Sequence, residues 1–340
     1  MITDGHEGLS KLIRLEKLDY SRFKDTGIAA VIGFFDGVHT GHKKIIKLCA
    51  DMAKSMGGVS LVFTFDKPPV NIIKGKLDKK LITSYSDRIS LIKEIGVDYI
   101  VVAKFDAGFA ELEPEKFCRD ILESRLNVRE VFIGRGFKFG KKSAGDADFM
   151  KNFFRGKKPA VNINVVDIYK IGNTPVSSTA IRKLYSEGNI ERISDFLGRF
   201  PSIKGKVVKG DKRGRLIGFP TANIDVFEKY ITLKDGVYAG YASIYGKPAQ
   251  ILKPAAGHYP ASFKLPSVIN IGNNPTFNGN RKWIESHILD FDADIYGRTL
   301  EVVFLKRLRD EISFESKDDL IKQIKLDIIA AEKYFIEKKE

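Results

Sequence analysis

Cysteine is nearly absent: Cys49 and Cys118 are the only two in 340 residues, far apart, with no CxxC pair and no histidine cluster beside either. That scarcity argues against a disulfide framework or a cysteine-based metal site, and both thiols read as small buried hydrophobes on amphipathic helices. Long apolar runs are missing too. The longest clean ones, such as "AAVIGFF" and "YIVVA", fall far short of the roughly 20 residues of a membrane-spanning helix. The opening "MITDGHEGLS" lacks the basic start and apolar stretch of a signal peptide. A soluble, globular protein of the cytoplasm with no membrane partner is the expectation. No internal repeat is apparent, and no GKS or GKT occurs, so a Walker-type phosphate loop is excluded.

What is present is length, apolar content and positive charge. With 340 residues, 43% of them hydrophobic, the chain is long enough for two ordinary domains with a substantial core in each. An excess of 57 Lys and Arg over 43 Asp and Glu gives a net charge of +14, which favours anionic partners through the summed field. The charges are scattered near glycines and turns, not along one helical face, so a lysine-rich solvated surface accounts for them. Small anionic substrates are expected, no nucleic acid is, and nothing here specifies an oligomeric state.

Two rhythms divide the chain. Up to about residue 182, short β-branched or aromatic runs alternate with helical patterns, the signature of βαβ units around a parallel sheet. Strands are expected at "IAAVIGFF", "GVSLVFTF", "DYIVVAKF", "EVFIGRG" and "NINVVDIYKI", with helices near residues 42–56, 86–95, 114–125 and 146–154. Such a doubly wound sheet binds ligands at the carboxyl ends of its strands. From Ser202 onward, short strands joined by Gly, Pro and Asn turns imply an antiparallel barrel. A final helix opens at Ser316, with Asp319 three residues on, and carries an apolar stripe of Leu320, Ile321, Ile324, Ile328 and Phe335. The expected division is residues 1–184, a helical linker over 185–201, and 202–340.

Two of only five histidines stand three residues apart in "GFFDGVHTGHKKII", Gly33 to Ile46. An apolar strand ends at Phe35, Asp36 and glycines make a turn, and a helix starts close to Gly41. His39 and His42 can then project together at that helix start. A helix N-terminus offers free N–H groups and partial positive charge to a phosphate, and two imidazoles add donors aimed at phosphoryl oxygens. Ser177, Ser178 and Thr179, followed by Arg182 in "VSSTAIR", are by themselves a helix start.

The H-x-G-H spacing resembles the signature of the nucleotidyltransferase superfamily, and "GFFDGVHTGH" looks like its flavin-adenylylating branch. "VSSTAIR" is similar to that superfamily's I-S-S-T-x-I-R, in which a hydroxyl-rich turn and an arginine grip the triphosphate. "GRGFKFGKKSAGD" resembles the branch's flavin loop, which implies flavin contacts for Gly134, Phe137 and Phe139. Two departures stand out. Gly136 occupies a position that normally holds Asp or Asn, and "TFDKPP" puts Lys67 and Pro68 where Pro and His are usual. They remove a polar contact to FMN and an imidazole near ATP, which sets up a rival reading: an enzyme that makes FMN but adenylylates it slowly.

The second half holds "GKVVKGDKRGRLIGFPTANI", where glycines at 205, 210, 214 and 218 allow backbone to approach phosphates. Thr221 and Asn223 offer oxygens suited to Mg²⁺. In "WIESHILDF", Trp283, Glu285 and His287 share one face of a strand, from which Glu285 can act as a base. Taken bare, Pro220 to Asn223 is a turn entering a strand and Glu285 a solvated side chain. In order, however, "GRLIGFPTANI", "GVYAGYASI", "VINIGNNPTF", "ESHILDFDADIYGRTLEVVFLKRLRDEISF" and "DDLIKQIKLDI" resemble bacterial riboflavin kinase domains. That resemblance implies Mg-ATP at Thr221 and Asn223, nucleotide or flavin contacts at Gly210, Gly214, Gly218, Pro220 and Arg309, and activation of the terminal ribityl hydroxyl by Glu285. Residues 246–266 look longer than the usual connection. Both sets of motifs, in this order, resemble the bifunctional bacterial riboflavin kinase/FAD synthetases, which implies ATP, riboflavin and FMN as substrates. A basic flavin- or RNA-binding regulator without turnover is the alternative from another class.

Overall fold

The computed structural model describes residues 10–75, 79–210, 213–226, 230–245, 264–273 and 282–338. Residues 246–263, the long connection noted above, lie outside that set. Contacts divide the chain into two compact units, Met1–Ser178 and Thr179–Glu340.

The first unit is built on six parallel strands: β1 (Lys11–Arg14), β2 (Ile28–Ile32), β3 (Val59–Phe65), β4 (Tyr99–Ala103), β5 (Val128–Gly134) and β6 (Asn162–Val166), in the order β1-β4-β3-β2-β5-β6. Helix α1 (Thr40–Ser55) connects β2 to β3. The shorter α2 (Pro69–Ile73), α3 (Tyr85–Lys93), α4 (Ala107–Ala110), α5 (Pro114–Lys116) and α6 (Ala147–Phe154) fill the later crossovers. Alternation along β2 sends Ala29 and Val31 to one face, against Ile45, Ile46 and Cys49 of α1 and Ile89 and Ile92 of α3. Ile28, Ala30 and Ile32 go to the other face, against Phe117, Leu122, Met150 and Phe154. Both faces are covered, which is why these strands read as continuous apolar runs. The chain grows from β2 through β3 to β4, then returns to place β5 on the opposite side of β2. The switch point of the sheet therefore lies at the end of β2, where the histidine turn begins.

Three local readings change. The edge strand β1, largely exposed, carries too little apolar pattern to stand out in the sequence. The helix expected over 114–125 is a single α-turn followed by a π-helical stretch over Phe117–Glu123, with Ser124 N bonded to Arg119 O and Leu126 N to Ile121 O. The run "NINVVDIYKI" splits into β6 and a hairpin of β7 (Lys170–Ile171) and β8 (Thr174–Pro175). Both cysteines are buried, and burial pushes each thiol up to about 12, so neither is a nucleophile near neutral pH.

The second unit begins with α7 (Ser178–Glu187, whose first residue belongs to the first unit) and α8 (Ile190–Leu197), then forms a closed barrel. Its strands are β9 (Ser202–Val208), β10 (Ala222–Asp225), β11 (Gly236–Tyr245), β12 (Leu265–Asn273), β13 (Lys282–Ile288) and β14 (Thr299–Arg309), ordered β10-β13-β12-β11-β14-β9 with antiparallel neighbours. A short α9 (Arg213–Leu216) sits in the glycine-rich loop, while Gly205 falls inside β9. Helix α10 (Lys317–Glu337) is capped by Ser316, whose hydroxyl accepts from Asp319 N at 3.1 Å.

The α10 stripe contains a residue the apolar pattern passes over. Asp327 is 5% exposed and receives Arg309 Nε and Nη2 at 2.8 Å each, with Gln323 Nε2 at 2.9 Å. This fork ties β14 to α10. Asp327→Ala leaves the guanidinium without its carboxylate, a class of change that costs roughly 3 kcal/mol. A clearly lower unfolding midpoint for the barrel is the expected result, measured by thermal melting. No helix among the described residues is long and apolar enough to cross a membrane.

Candidate active sites

In the first unit the turn after β2 is held in an unusual backbone shape: Phe35, Gly37 and Val38 have φ of 57°, 85° and 39°. Left-handed non-glycine residues are costly and persist only where surroundings hold them. Here Asp36 is the hold. It is 5% exposed, and its carboxylate accepts from the backbone of Ile82 at 3.1 Å and Thr83 at 3.2 Å, while Gly37 N donates to Thr83 Oγ1. Its carbonyl accepts from Ser178 Oγ at 2.9 Å, which brings the hydroxyl-rich turn to the histidine turn. A Cβ on Gly33 would lie 2.8 Å from the Phe35 ring, so that position is bare by necessity.

His39 caps α1, its Nδ1 accepting from His42 N at 3.2 Å. A nitrogen that accepts is unprotonated, so the His39 proton sits on Nε2. The two imidazoles stack with centroids 3.5 Å apart and planes 17° from parallel, and the Phe35 ring stands edge-on to His42 at 5.2 Å. A Cβ on Gly41 would lie 3.3 Å from the His39 ring, so glycine lets the pair close up. His42 Nδ1 is buried without a hydrogen-bond partner among the described residues. Burial, reinforced by the neighbouring His39, holds the His42 imidazole well below its usual range, so it is neutral at pH 7. An unfolded imidazole takes a proton near pH ~6.5. The folded state thus binds fewer protons below that value, and the stability linked to His42 falls as pH drops through it. Urea midpoints compared at about pH 7.5 and about 5.5 should show this loss in the native chain and less of it in His42→Asn.

Arg88 escapes a sequence reading because a helical arginine looks solvated. It is 2% exposed, donates to Phe34 O and Phe65 O at 2.6 Å each, and lies 4.0 Å over the Phe34 ring. Burial lowers it to about 10 despite Asp36 nearby, and it still stays charged at neutral pH. It clamps the carboxyl ends of β2 and β3 beside the site. Pro68 precedes α2, with Pro69 at its first position.

Gly134 and Gly136 open a loop in which Phe137 and Phe139 stack at 5.8 Å and 17°. Phe139 is 8% exposed and belongs to the core, and Phe137 packs against that core. Gly136 has φ of 84°, a region that favours Gly and, less strongly, Asn and Asp. The substitution therefore keeps the turn and gives up only a polar side chain. Thr179 and Arg182 follow on α7, in the second unit.

In the second unit a cavity of about 340 Å³ is lined by Thr221, Asn223, Trp283, Glu285, His287 and Arg309, among others. Register sets its floor: Asn223 on β10 lies directly opposite Glu285 on β13. His287 Nδ1 is 2.8 Å from Pro220 O, pinning the turn before Thr221. The glycine-rich loop covers these groups closely. A Cβ on Gly210 would lie 2.8 Å from Asn223 Cγ, one on Gly214 would meet Phe219 O and come within 3.4 Å of Thr221 Oγ1, and Gly218 has φ of 89°. Arg309 lines the cavity while engaged with Asp327. Asn270 and Glu311 line the same cavity; both lie within the stretches that resemble riboflavin kinases, but the sequence alone assigns neither a role.

Residues 22–180 match the FAD synthetase family, and residues 197–335 match the riboflavin kinase family. A bifunctional riboflavin kinase/FMN adenylyltransferase of Buchnera aphidicola (subsp. Schizaphis graminum) is 33% identical over 312 residues, 90% of this chain and 94% of that relative. The chain belongs to the bifunctional riboflavin kinase/FMN adenylyltransferase family. An Escherichia coli K12 member of the family is 32% identical over 315 residues, covering 93% of this chain and 95% of its own. A crystal structure described as a macrolide-efflux protein from Streptococcus pneumoniae aligns with a TM-score of 0.79 at 27% identity, covering 94% of this chain and 98% of that one. The histidine turn falls within the FAD synthetase match, and the 340 Å³ cavity within the riboflavin kinase match.

Proposed function

We propose that the barrel cavity phosphorylates riboflavin to FMN and that the histidine turn transfers AMP from ATP to FMN, giving FAD and pyrophosphate. The observation that carries the kinase assignment is the direct cross-strand pairing of Asn223 with Glu285 in one cavity. It puts a carboxylate base beside the oxygens that would hold a nucleotide's metal. Glu285 takes the proton of the terminal ribityl hydroxyl as its oxygen attacks the γ-phosphorus, and ADP leaves.

Thr221 and Asn223 would hold Mg²⁺. They supply two neutral oxygens, and the lack of a side chain at Gly210 and Gly214 lets the loop backbone come close to both residues. Mg²⁺ commonly keeps several waters and binds few protein groups together with substrate phosphates, so a small oxygen set of this kind fits it. Bound there, the ion neutralises charge on the transferring phosphate.

In the first unit, the α1 N-terminus and the neutral His39–His42 stack face developing negative charge on the α-phosphate. An FMN phosphate oxygen attacks that phosphorus, the bond to pyrophosphate breaks, and no protein nucleophile is required. Gly134, Phe137 and Phe139 are assigned to the flavin, and Ser177, Ser178, Thr179 and Arg182 to the triphosphate. Incubation with riboflavin, ATP and Mg²⁺ followed by chromatography tests both steps. FMN should appear first and FAD after it; FMN that accumulates without FAD would remove the second activity.

A further inference from the structure

The cavity floor of the barrel is a single cross-strand row. Asn223 on β10 opposes Glu285 on β13, Glu285 opposes Asn270 on β12, Asn270 opposes Val237 on β11, and Val237 opposes Arg309 on β14. All five line the same cavity. Directly opposite residues hold their Cβ atoms about 5 Å apart, so the side-chain amide of Asn270 lies within one small group of the Glu285 carboxylate. That amide makes no hydrogen bond among the described residues, and Asn270 is only partly buried. An uncommitted amide facing a cavity supplies both donors and an acceptor to whatever occupies it.

We infer that Asn270 is a substrate-binding residue that reads the ribityl hydroxyl next to the one phosphorylated. The inference rests on Glu285 as the base and on Thr221 and Asn223 as the nucleotide side. With the phosphate donor at Asn223, the acceptor chain must run from Glu285 away from it. The next polar group in that direction is Asn270. The same cavity has an apolar part of its lining, Trp283, Ile312, Phe314 and Ile324, suited to the flavin ring. A polyol that leaves Glu285 along this row therefore meets Asn270 with the hydroxyl adjacent to the reacting one.

Asn270→Ala should lower kcat/KM for riboflavin about tenfold, the size of one neutral hydrogen bond with its partner left unpaired. The adenylylation of supplied FMN should not change. Native enzyme should lose a similar factor on a riboflavin analogue lacking that hydroxyl, and the variant should lose nothing further on the analogue. Asn270→Ser, which keeps a donor in a smaller side chain, should recover part of the loss and serves if the alanine variant folds poorly. Equal use of riboflavin and the analogue by the native enzyme would overturn the proposal, as would full additivity of the two losses. Failure of the underlying base assignment reads differently: Glu285→Gln would then keep kinase activity whatever the analogue shows.

Discussion

His42→Ala is expected to lower FMN adenylylation by roughly 10²-fold or more, the cost of removing one preorganised donor from developing charge, while riboflavin phosphorylation stays near normal. The expectation comes from how the imidazole is held. His42 is stacked on His39 at 3.5 Å, has Phe35 against its edge, and has a buried nitrogen without a partner among the described residues. It is fixed before any ligand arrives, so a phosphate meeting it incurs little further ordering cost, which is the condition under which such donors are most effective. Because burial keeps the ring neutral, it acts by hydrogen bonding and not as a fixed cation. Adenylylation should therefore show no loss of the kind that deprotonating a cation produces between about pH 6 and 7. Rates measured separately with FMN and with riboflavin decide the matter. A parallel fall of both activities would argue against separate sites, and an unchanged adenylylation rate would remove His42 from the chemistry.

The histidine turn was legible because its signal is local. A strand end, a glycine turn and a helix start all lie within residues 33–46, so their spacing reports their geometry. The barrel was legible for a similar reason: each strand announces itself by short apolar runs between turn residues, although the pairing of β9 with β14 that completes the barrel is a long-range fact that no single run contains. What escaped was the set of polar residues whose role depends on a distant partner. Arg88 sits on a helix like any solvated arginine, and only folding brings it to Phe34 and Phe65. Asp327 interrupts an apolar stripe and is explained only by Arg309, eighteen residues earlier. Asn270 acquires meaning from cross-strand register with Glu285, which a one-residue slip would reverse.

Gly136 shows how structure changes the reading of a departure. As a missing Asp or Asn it looked like a lost flavin contact. Its left-handed backbone shows that the position first demands a conformation, which glycine meets at least as well. The loop shape that presents Phe137 is thus retained, and the cost of the change is limited to one side-chain hydrogen bond, about 1 kcal/mol. The slow-adenylylation rival is weakened to that extent.

Glu285→Gln tests the other unit by exchanging one carboxylate oxygen for an amide nitrogen, with almost no change of shape. Kinase turnover is expected to fall roughly 10²–10⁴-fold, the range for loss of a general base, with KM for riboflavin little altered because the amide still fills the carboxylate's place. FMN supplied directly should still be adenylylated at the native rate, since Glu285 belongs to the barrel and His39 and His42 to the parallel-sheet unit. Glutamine also separates the two ways in which Glu285 could matter. Were the carboxylate needed only to hold Asn223 and the cavity floor in place, an amide would hydrogen-bond nearly as well and turnover would survive. If its role is to accept the hydroxyl proton as phosphorus is attacked, no neutral side chain of the same shape substitutes. Survival of FMN formation in the variant would remove Glu285 as the base and leave the row from Asn223 to Arg309 as a binding surface alone.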